Sequence, residues 1–174
     1  VTGVDVEEHP MVHDRVDKFI LGNLDAGLPA DLPPTFDYVV CADVLEHVRA
    51  PERLLEELLP RLSPGGAIVA SVPNFGHWYP RLRTLLGLFD YDRRGILDRT
   101  HVRFFTRRSF ERLARDAGCT VTRIGTTGLP FDVADRGGNG SLSRRLRVVA
   151  AVDRGLVRLR PQLFGYQFLY ELKR

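Results

Sequence analysis

Apolar residues along this chain fall into short runs separated by Pro, Gly and acidic punctuation. The spacing predicts strands alternating with helices. Residues 1–6 read as a short strand closing on Asp5, and residues 18–21 as another running into Gly22-Asn23-Leu24-Asp25. Residues 26–35 are rich in Pro, Gly and Asp and read as loop. Phe36, Tyr38, Val39, Val40 and Cys41 form a buried strand over 36–42, bounded by Pro33-Pro34 and Asp43. Pro51 suits a first helical position, and Leu54, Leu55, Leu58 and Leu59 recur at helical spacing over 52–61. Leu62-Ser63-Pro64-Gly65-Gly66 is expected to end that helix before a strand over 67–74. Strand, helix, turn and strand make a βαβ unit.

Residues 77–92 carry the only Trp and a dense apolar set, and read as a short helix lying over the carboxyl end of the preceding strand. Residues 77–106 are therefore expected to cover a substrate pocket. Thr106 suits the N-cap of a helix over 107–117, and Gly118 its stop. Residues 119–126 alternate as a strand. Residues 143–159 read as an Arg-rich amphipathic helix, within a basic segment over 141–160. Residues 164–172, aromatic-rich, read as a final strand. Residues 7–17 are left as helix or irregular turn. The expected fold is α/β: a Rossmann-like, mostly parallel sheet with an antiparallel C-terminal strand.

At 174 residues the chain is expected to form one domain, with 44% apolar and 27% charged residues typical of a soluble globular protein. No run of 18 apolar residues is present, and no leader is visible. Cys41 and Cys119 both fall in expected strands, fitting small core residues in a reducing, cytoplasmic compartment. Net charge is +3, unevenly placed: residues 136–174 hold eight Arg and one Lys against Asp153 and Glu171. That basic region is a candidate for peripheral membrane contact, or simply a solvated face. There is no strong nucleic-acid signal.

The stretch FDYVVCADVLEHV, residues 36–48, concentrates chemistry. A helical continuation places Asp43, Glu46 and His47 on one face at i, i+3 and i+4. In open α/β sheets, ligands bind at the carboxyl ends of strands. Either His47 or His101 could act as a general base, with Glu46 beside them. Asn74, His77, Trp78 and Tyr79 follow the next strand and are candidate substrate contacts. Arg93, Arg94, Arg99 and Arg103 could hold an acidic substrate or form surface ion pairs.

These motifs resemble a class I S-adenosylmethionine-dependent methyltransferase. FDYVVCADVLEHV resembles that family's fourth strand and following segment; LLPRLSPGGAIVASVPN resembles its fourth helix and fifth strand. Val1-Thr-Gly-Val-Asp5 looks like its second strand, and Asp98-Arg-Thr-His-Val-Arg-Phe-Phe-Thr106 like the approach to its sixth. The closest-looking branch is bacterial, found with polysaccharide and lipid-linked sugar biosynthesis. The resemblance implies methyl transfer from S-adenosylmethionine to oxygen, or nitrogen, on a small-molecule, sugar or lipid-linked acceptor. It implies that Asp5 meets the cofactor ribose, Asn23 and Leu24 the adenine, and Cys41, Ala42 and Asp43 the methionine part. Helix capping by Asp5 and turn formation by Asn23 remain the alternatives.

The family's first strand and Gly-rich turn are expected upstream of residue 1, so residues 1–174 alone are expected to bind cofactor weakly. Gly137-Gly-Asn-Gly140 follows no strand and reads as a flexible loop. The competing function is a non-catalytic binding or assembly module of the same fold. Asp43, Glu46, His47 and His101 together are also similar to the metal-binding set of the small-RNA 2′-O-methyltransferase family. The similarity implies a divalent cation as a possible cofactor; packing and hydrogen bonding by Glu46 and His47 is the alternative.

Overall fold

The computed structural model describes residues 1–130 and 144–174. Its strands are β1 (Thr2–Asp5), β2 (Lys18–Leu21), β3 (Phe36–Ala42), β4 (Leu62–Pro73), β5 (Thr120–Thr127) and β6 (Gln167–Lys173). Its helices are α1 (Pro51–Leu58), α2 (Trp78–Leu85), α3 (Arg107–Asp116), α4 (Arg144–Leu159) and the short α5 (Pro161–Phe164). The Gly137–Gly140 string lies outside the described residues.

Four strands form one sheet in the order β3-β4-β6-β5. β3 and β4 are parallel, while β6 runs antiparallel to both β4 and β5. The expected α/β arrangement with a reversed last strand is the one observed. β1 and β2 pair in parallel as a separate ribbon, and no described strand bridges β1 to β3. Between these two edges runs an apolar groove of about 540 Å³, walled by Val1, Thr2 and Val4 on one side and Phe36, Tyr38 and Val40 on the other.

The core fills one face of the four-stranded sheet. Ile68, Ala70 and Val72 of β4 and Phe168, Tyr170 and Leu172 of β6 are buried at alternate positions, as the pleat requires. Leu54, Leu55 and Leu58 of α1 and Phe110 and Ala114 of α3 cover them. The Phe110 and Tyr170 rings lie 4.4 Å apart and Phe105 meets Phe110 edge-on at 5.4 Å. Cys41 and Cys119 are buried free thiols, pushed by burial to about 12 and about 11 respectively. They pack rather than react. On the opposite face Tyr38 and Val40 stay exposed.

Several boundaries depart from the sequence reading. The Pro64-Gly65-Gly66 turn does not separate helix from strand: β4 already begins at Leu62, after a 3₁₀ turn over Leu59–Arg61. The pairing jumps from Phe36 opposite Leu62 to Tyr38 opposite Ala67, so the Gly pair forms a bulge within the ladder. Residues 7–17 hold only a 3₁₀ turn, Val12–Asp14. Phe164 ends α5 instead of opening the last strand, because Pro161 starts a turn of helix there. Thr106 caps α3 through a reciprocal box with Ser109, and Gly118 leaves the helix at φ +84°, as expected.

A Cβ on Gly66 would sit 2.8 Å from the Asp37 carbonyl oxygen and 3.0 Å from that of Ser63, both backbone atoms. Gly66→Ala is therefore expected to destabilise the protein by about 1–3 kcal/mol, by overpacking the bulge. Gly155→Ala, inside α4 with nothing near its would-be Cβ, should instead be stabilising by about 0.5–1 kcal/mol. Urea denaturation of both variants checks the opposite signs.

Candidate active site at the carboxyl edge

The segment after β3 is not a helix. Asp43 adopts a left-handed backbone, φ 52°, and residues 44–47 make a single turn closed by His47 N–H donating to the Val44 carbonyl at 3.0 Å. Left-handed backbone suits Asp better than most side chains. It also redirects the carboxylate. Asp43 Oδ1 accepts from Ser71 Oγ at 3.0 Å and from Gln167 Nε2, while Asp43 N–H donates to Ser71 Oγ at 3.0 Å. The expectation that Asp43 shares a face with Glu46 and His47 is thus corrected: its carboxylate belongs to the β3–β4–β6 junction.

Glu46, His47 and His101 do converge. One candidate ligand atom from each lies within 4.8 Å of the others. The two imidazoles meet edge-on, centroids 4.8 Å apart. His47 Nδ1 lies 3.1 Å from the Thr100 carbonyl, and His101 Nδ1 lies 3.2 Å from the Ile96 carbonyl. A carbonyl only accepts, so each Nδ1 carries a proton, which leaves Nε2 as the accepting nitrogen of a neutral ring. The backbone holds the segments together, since Val102 and Arg103 N–H both donate to the Glu46 carbonyl at 2.9 and 3.0 Å.

Glu46 is 1% exposed, and neither carboxylate oxygen has a hydrogen-bond partner among the described residues. Burial, with the nearby Asp43 charge adding to it, pushes its carboxyl up to about 8. Burial likewise holds His101 below the usual imidazole range, favouring the neutral, accepting form. A buried acid with no partner among the described residues, its oxygen within 4.8 Å of a ring nitrogen of each histidine, can hold a divalent cation, or pass a proton.

The remaining candidates divide. Asp5, Asn23, Ala42 and Asp43 all lie at the carboxyl ends of β1, β2 and β3, and Leu24 and Cys41 line the apolar groove. Asp5 Oδ1 accepts the Glu7 N–H at 3.1 Å, Oδ2 lies 3.9 Å from His9 Nε2, and the residue stays half-exposed. Asn23 Oδ1 accepts the Asp25 N–H at 3.0 Å, capping a 3₁₀ turn. Asn74, expected to contact substrate, is buried and committed elsewhere. Its amide donates to the Gln162 and Gly165 carbonyls at 3.1 and 2.8 Å, and its oxygen accepts from Gly76 N–H at 2.9 Å. His77 is buried and caps α2 by accepting the Tyr79 N–H at 3.2 Å; its Nε2 has no partner among the described residues. Asn74 thereby ties the end of β4 to α5 and the residue that follows it. Tyr79 donates its hydroxyl to Asp92 at 2.8 Å, and Trp78 is exposed.

Sequence reasoning missed Ser71 and Gln167, which hold Asp43, and the aromatic wall beside His101. Phe104 lies 6.3 Å from His101 and 5.0 Å from Phe75. One signal was available: Asp98 followed by Thr100 suits an Asx turn, and Asp98 Oδ1 does accept both Thr100 N–H and hydroxyl, at 2.8 and 2.7 Å.

A family of methyltransferase domains matches residues 1–124. Over 62 residues, 36% of this chain and 21% of the relative, the sequence is 37% identical to the mitochondrial ubiquinone biosynthesis O-methyltransferase of Schizosaccharomyces pombe. It is 40% identical over 81 residues to that of Candida albicans, covering 43% of this chain and 25% of that protein. The match thus spans about a fifth to a quarter of the curated relatives' length. Both are fungal, not from the bacterial branch the sequence suggested. Among solved structures, an S-adenosylmethionine-dependent methyltransferase from Mesorhizobium loti aligns with TM-score 0.58 and 16% identity, over 99% of this chain and 79% of that one. One from Archaeoglobus fulgidus aligns with TM-score 0.56 and 16% identity, over 99% and 75%. At those identities the likeness is one of fold.

The buried Glu46 predicts a pH signature in chelator-treated protein. Between the ordinary carboxylate range and about 8, the folded state keeps a proton the unfolded chain has released. Stability therefore falls as pH rises through that window and levels off above it. Glu46→Gln removes the titration. Its stability relative to wild type should be level near pH 5 and higher by on the order of a few kcal/mol near pH 9, read by thermal unfolding across the series.

Proposed function

Because the chain belongs to the methyltransferase domain family, we propose that it transfers a methyl group from S-adenosylmethionine to an oxygen of a small-molecule acceptor. The observation that carries this reading is the convergence, within 4.8 Å of one another, of a ring nitrogen of His47, a ring nitrogen of His101 and an oxygen of the buried Glu46 carboxylate, which has no hydrogen-bond partner among the described residues. A hydroxyl is a weak nucleophile until its proton leaves, and a neutral imidazole can take that proton. The O-methyltransferase names of the two fungal relatives favour oxygen over nitrogen. The aromatic wall of Phe104 and Phe75 favours an acceptor with a flat or apolar body over a bare sugar.

S-adenosylmethionine, when bound, supplies an electrophilic methyl group on a sulfonium. Asp5 is suited to receive the ribose hydroxyls, because its carboxylate is half-exposed at the end of β1, one oxygen accepting the Glu7 N–H and the other 3.9 Å from His9 Nε2. Leu24 and Cys41 offer apolar walls, and Ala42 leaves room for close backbone approach. Asn23 keeps one oxygen lone pair and its amide hydrogens for an adenine edge.

Glu46, His47 and His101 would hold a divalent cation, the mixed carboxylate and imidazole donors suiting Mg²⁺, Mn²⁺ or Zn²⁺. Such an ion lowers the pKa of a coordinated hydroxyl. The chain's own contribution is orientation: Thr100 and Ile96 fix both imidazole tautomers before any ligand arrives.

Calorimetry with S-adenosylmethionine on the full-length protein tests the cofactor assignment. Asp5→Ala should weaken binding by about 1.5–3 kcal/mol, the range for hydrogen bonds to a charged group; an unchanged affinity would leave Asp5 as a turn residue. Methyl transfer to hydroxylated aromatic acceptors should fall after chelation and return on adding a divalent cation. Chelator-insensitive activity that His101→Ala still abolishes would assign the cluster to proton transfer alone.

A further inference from the structure

α2 and the loop behind it expose an unusual amount of apolar surface. Pro80 is the only buried residue of the helix. Leu85 is 82% exposed and Leu86 61%, and Trp78, Leu82, Leu88 and Phe89 are exposed beside them. A contiguous patch of this kind marks an interaction surface. It is not a slack loop. The Arg83 guanidinium donates to the carbonyls of Leu88 and Asp90, both at 3.0 Å, to Asp92 Oδ1 at 2.7 Å and to the Tyr79 hydroxyl at 2.8 Å. One arginine therefore pins residues 88–92 back onto α2 and holds Leu88 and Phe89 outward.

Two further features say what the patch meets. Arg81, Arg93, Arg94 and Arg99, within and just after this segment, are exposed and form no ion pair among the described residues, against one such acid, Asp90; Arg81 Nε donates to the Gly76 carbonyl at 2.7 Å. Exposed apolar side chains accompanied in the same segment by more exposed arginines than exposed acids complement a surface that is apolar beneath and anionic on top. The patch is also continuous with the candidate active site. Phe89 lies 6.4 Å from Phe104 and 6.3 Å from Phe75, and Phe104 lies 6.3 Å from His101.

We propose that the surface of Trp78, Leu82, Leu85, Leu86, Leu88 and Phe89 rests on an anionic lipid bilayer, with the aromatic track leading from it to His101 as the path of a membrane-dissolved acceptor. The path rests on the methyl-transfer reading; the docking does not. Among the described residues no helix is long and apolar enough to cross a membrane. The docking surface is distinct from the basic C-terminal segment singled out by charge.

Co-sedimentation of the full-length protein with phosphatidylcholine vesicles, with and without phosphatidylglycerol, tests the docking. Binding is expected with the anionic vesicles, and should fall at least about tenfold in the Leu85→Glu/Leu86→Glu variant and in Arg93→Glu/Arg94→Glu. The leucine pair is exposed, so its substitution should leave thermal stability and cofactor affinity unchanged. No sedimentation with either vesicle, or equal binding by the variants, overturns the proposal. So does light scattering showing a wild-type dimer that Leu85→Glu/Leu86→Glu converts to monomer, which would assign the patch to a second copy. Vesicle binding by a protein that binds no S-adenosylmethionine would retain the docking and remove the methyl-transfer reading.

Discussion

The placement of the candidate site depends on the polar junction around Asp43. β3 ends there, and the chain must reverse while keeping its polar groups satisfied. The left-handed turn at Asp43 does this, secured by Ser71 from β4 and Gln167 from β6. Three strands are tied at one point. These bonds from two neighbouring strands hold the backbone strain at φ 52° in place. The turn that follows delivers Glu46 inward and His47 outward.

Contrast explains the division of labour among the carboxylates. Asp43 is hydrogen-bonded, while Glu46, three residues on, is buried without a hydrogen-bond partner among the described residues. Burying an unpaired acid is unfavourable, and folded proteins keep such groups mainly where a ligand or a proton compensates. The backbone bonds from Val102 and Arg103 to the Glu46 carbonyl fix the distance to the His101 segment. His101 is thereby drawn to a residue more than fifty positions earlier. Asn74 performs a similar service at the end of β4, stitching it to the α5–β6 connection. It looks like a functional residue in sequence and is a structural one in place.

Much of the fold was legible because periodicity and punctuation agreed. The apolar run Phe36–Cys41, the leucine spacing of α1, the Thr106 cap and the Gly118 stop each follow from local chemistry, and each is where it was expected. The site was partly legible for the same reason. Glu46 and His47 are adjacent in sequence, and their place after a buried strand puts them at the carboxyl edge of a sheet. The Pro64-Gly65-Gly66 bulge was misplaced because turn residues look alike in a loop and in a distorted ladder; only pairing with β3 distinguishes them.

The sequence by itself determined the strand and helix content, the family, and the presence of an acid and two histidines capable of shared chemistry. Periodicity, capping and motif order are local, and local signals survive in a linear string. Only the tertiary structure decided which of the four candidates meet. Asp43 was lost from the cluster because one left-handed residue rotates a side chain away from any helical face. The orientation of the two imidazoles was likewise invisible, because it is set by the Thr100 and Ile96 carbonyls, whose approach is a product of packing. The outward apolar face of α2 was decided there too, since an apolar helix reads the same in sequence whether a neighbour covers it or not.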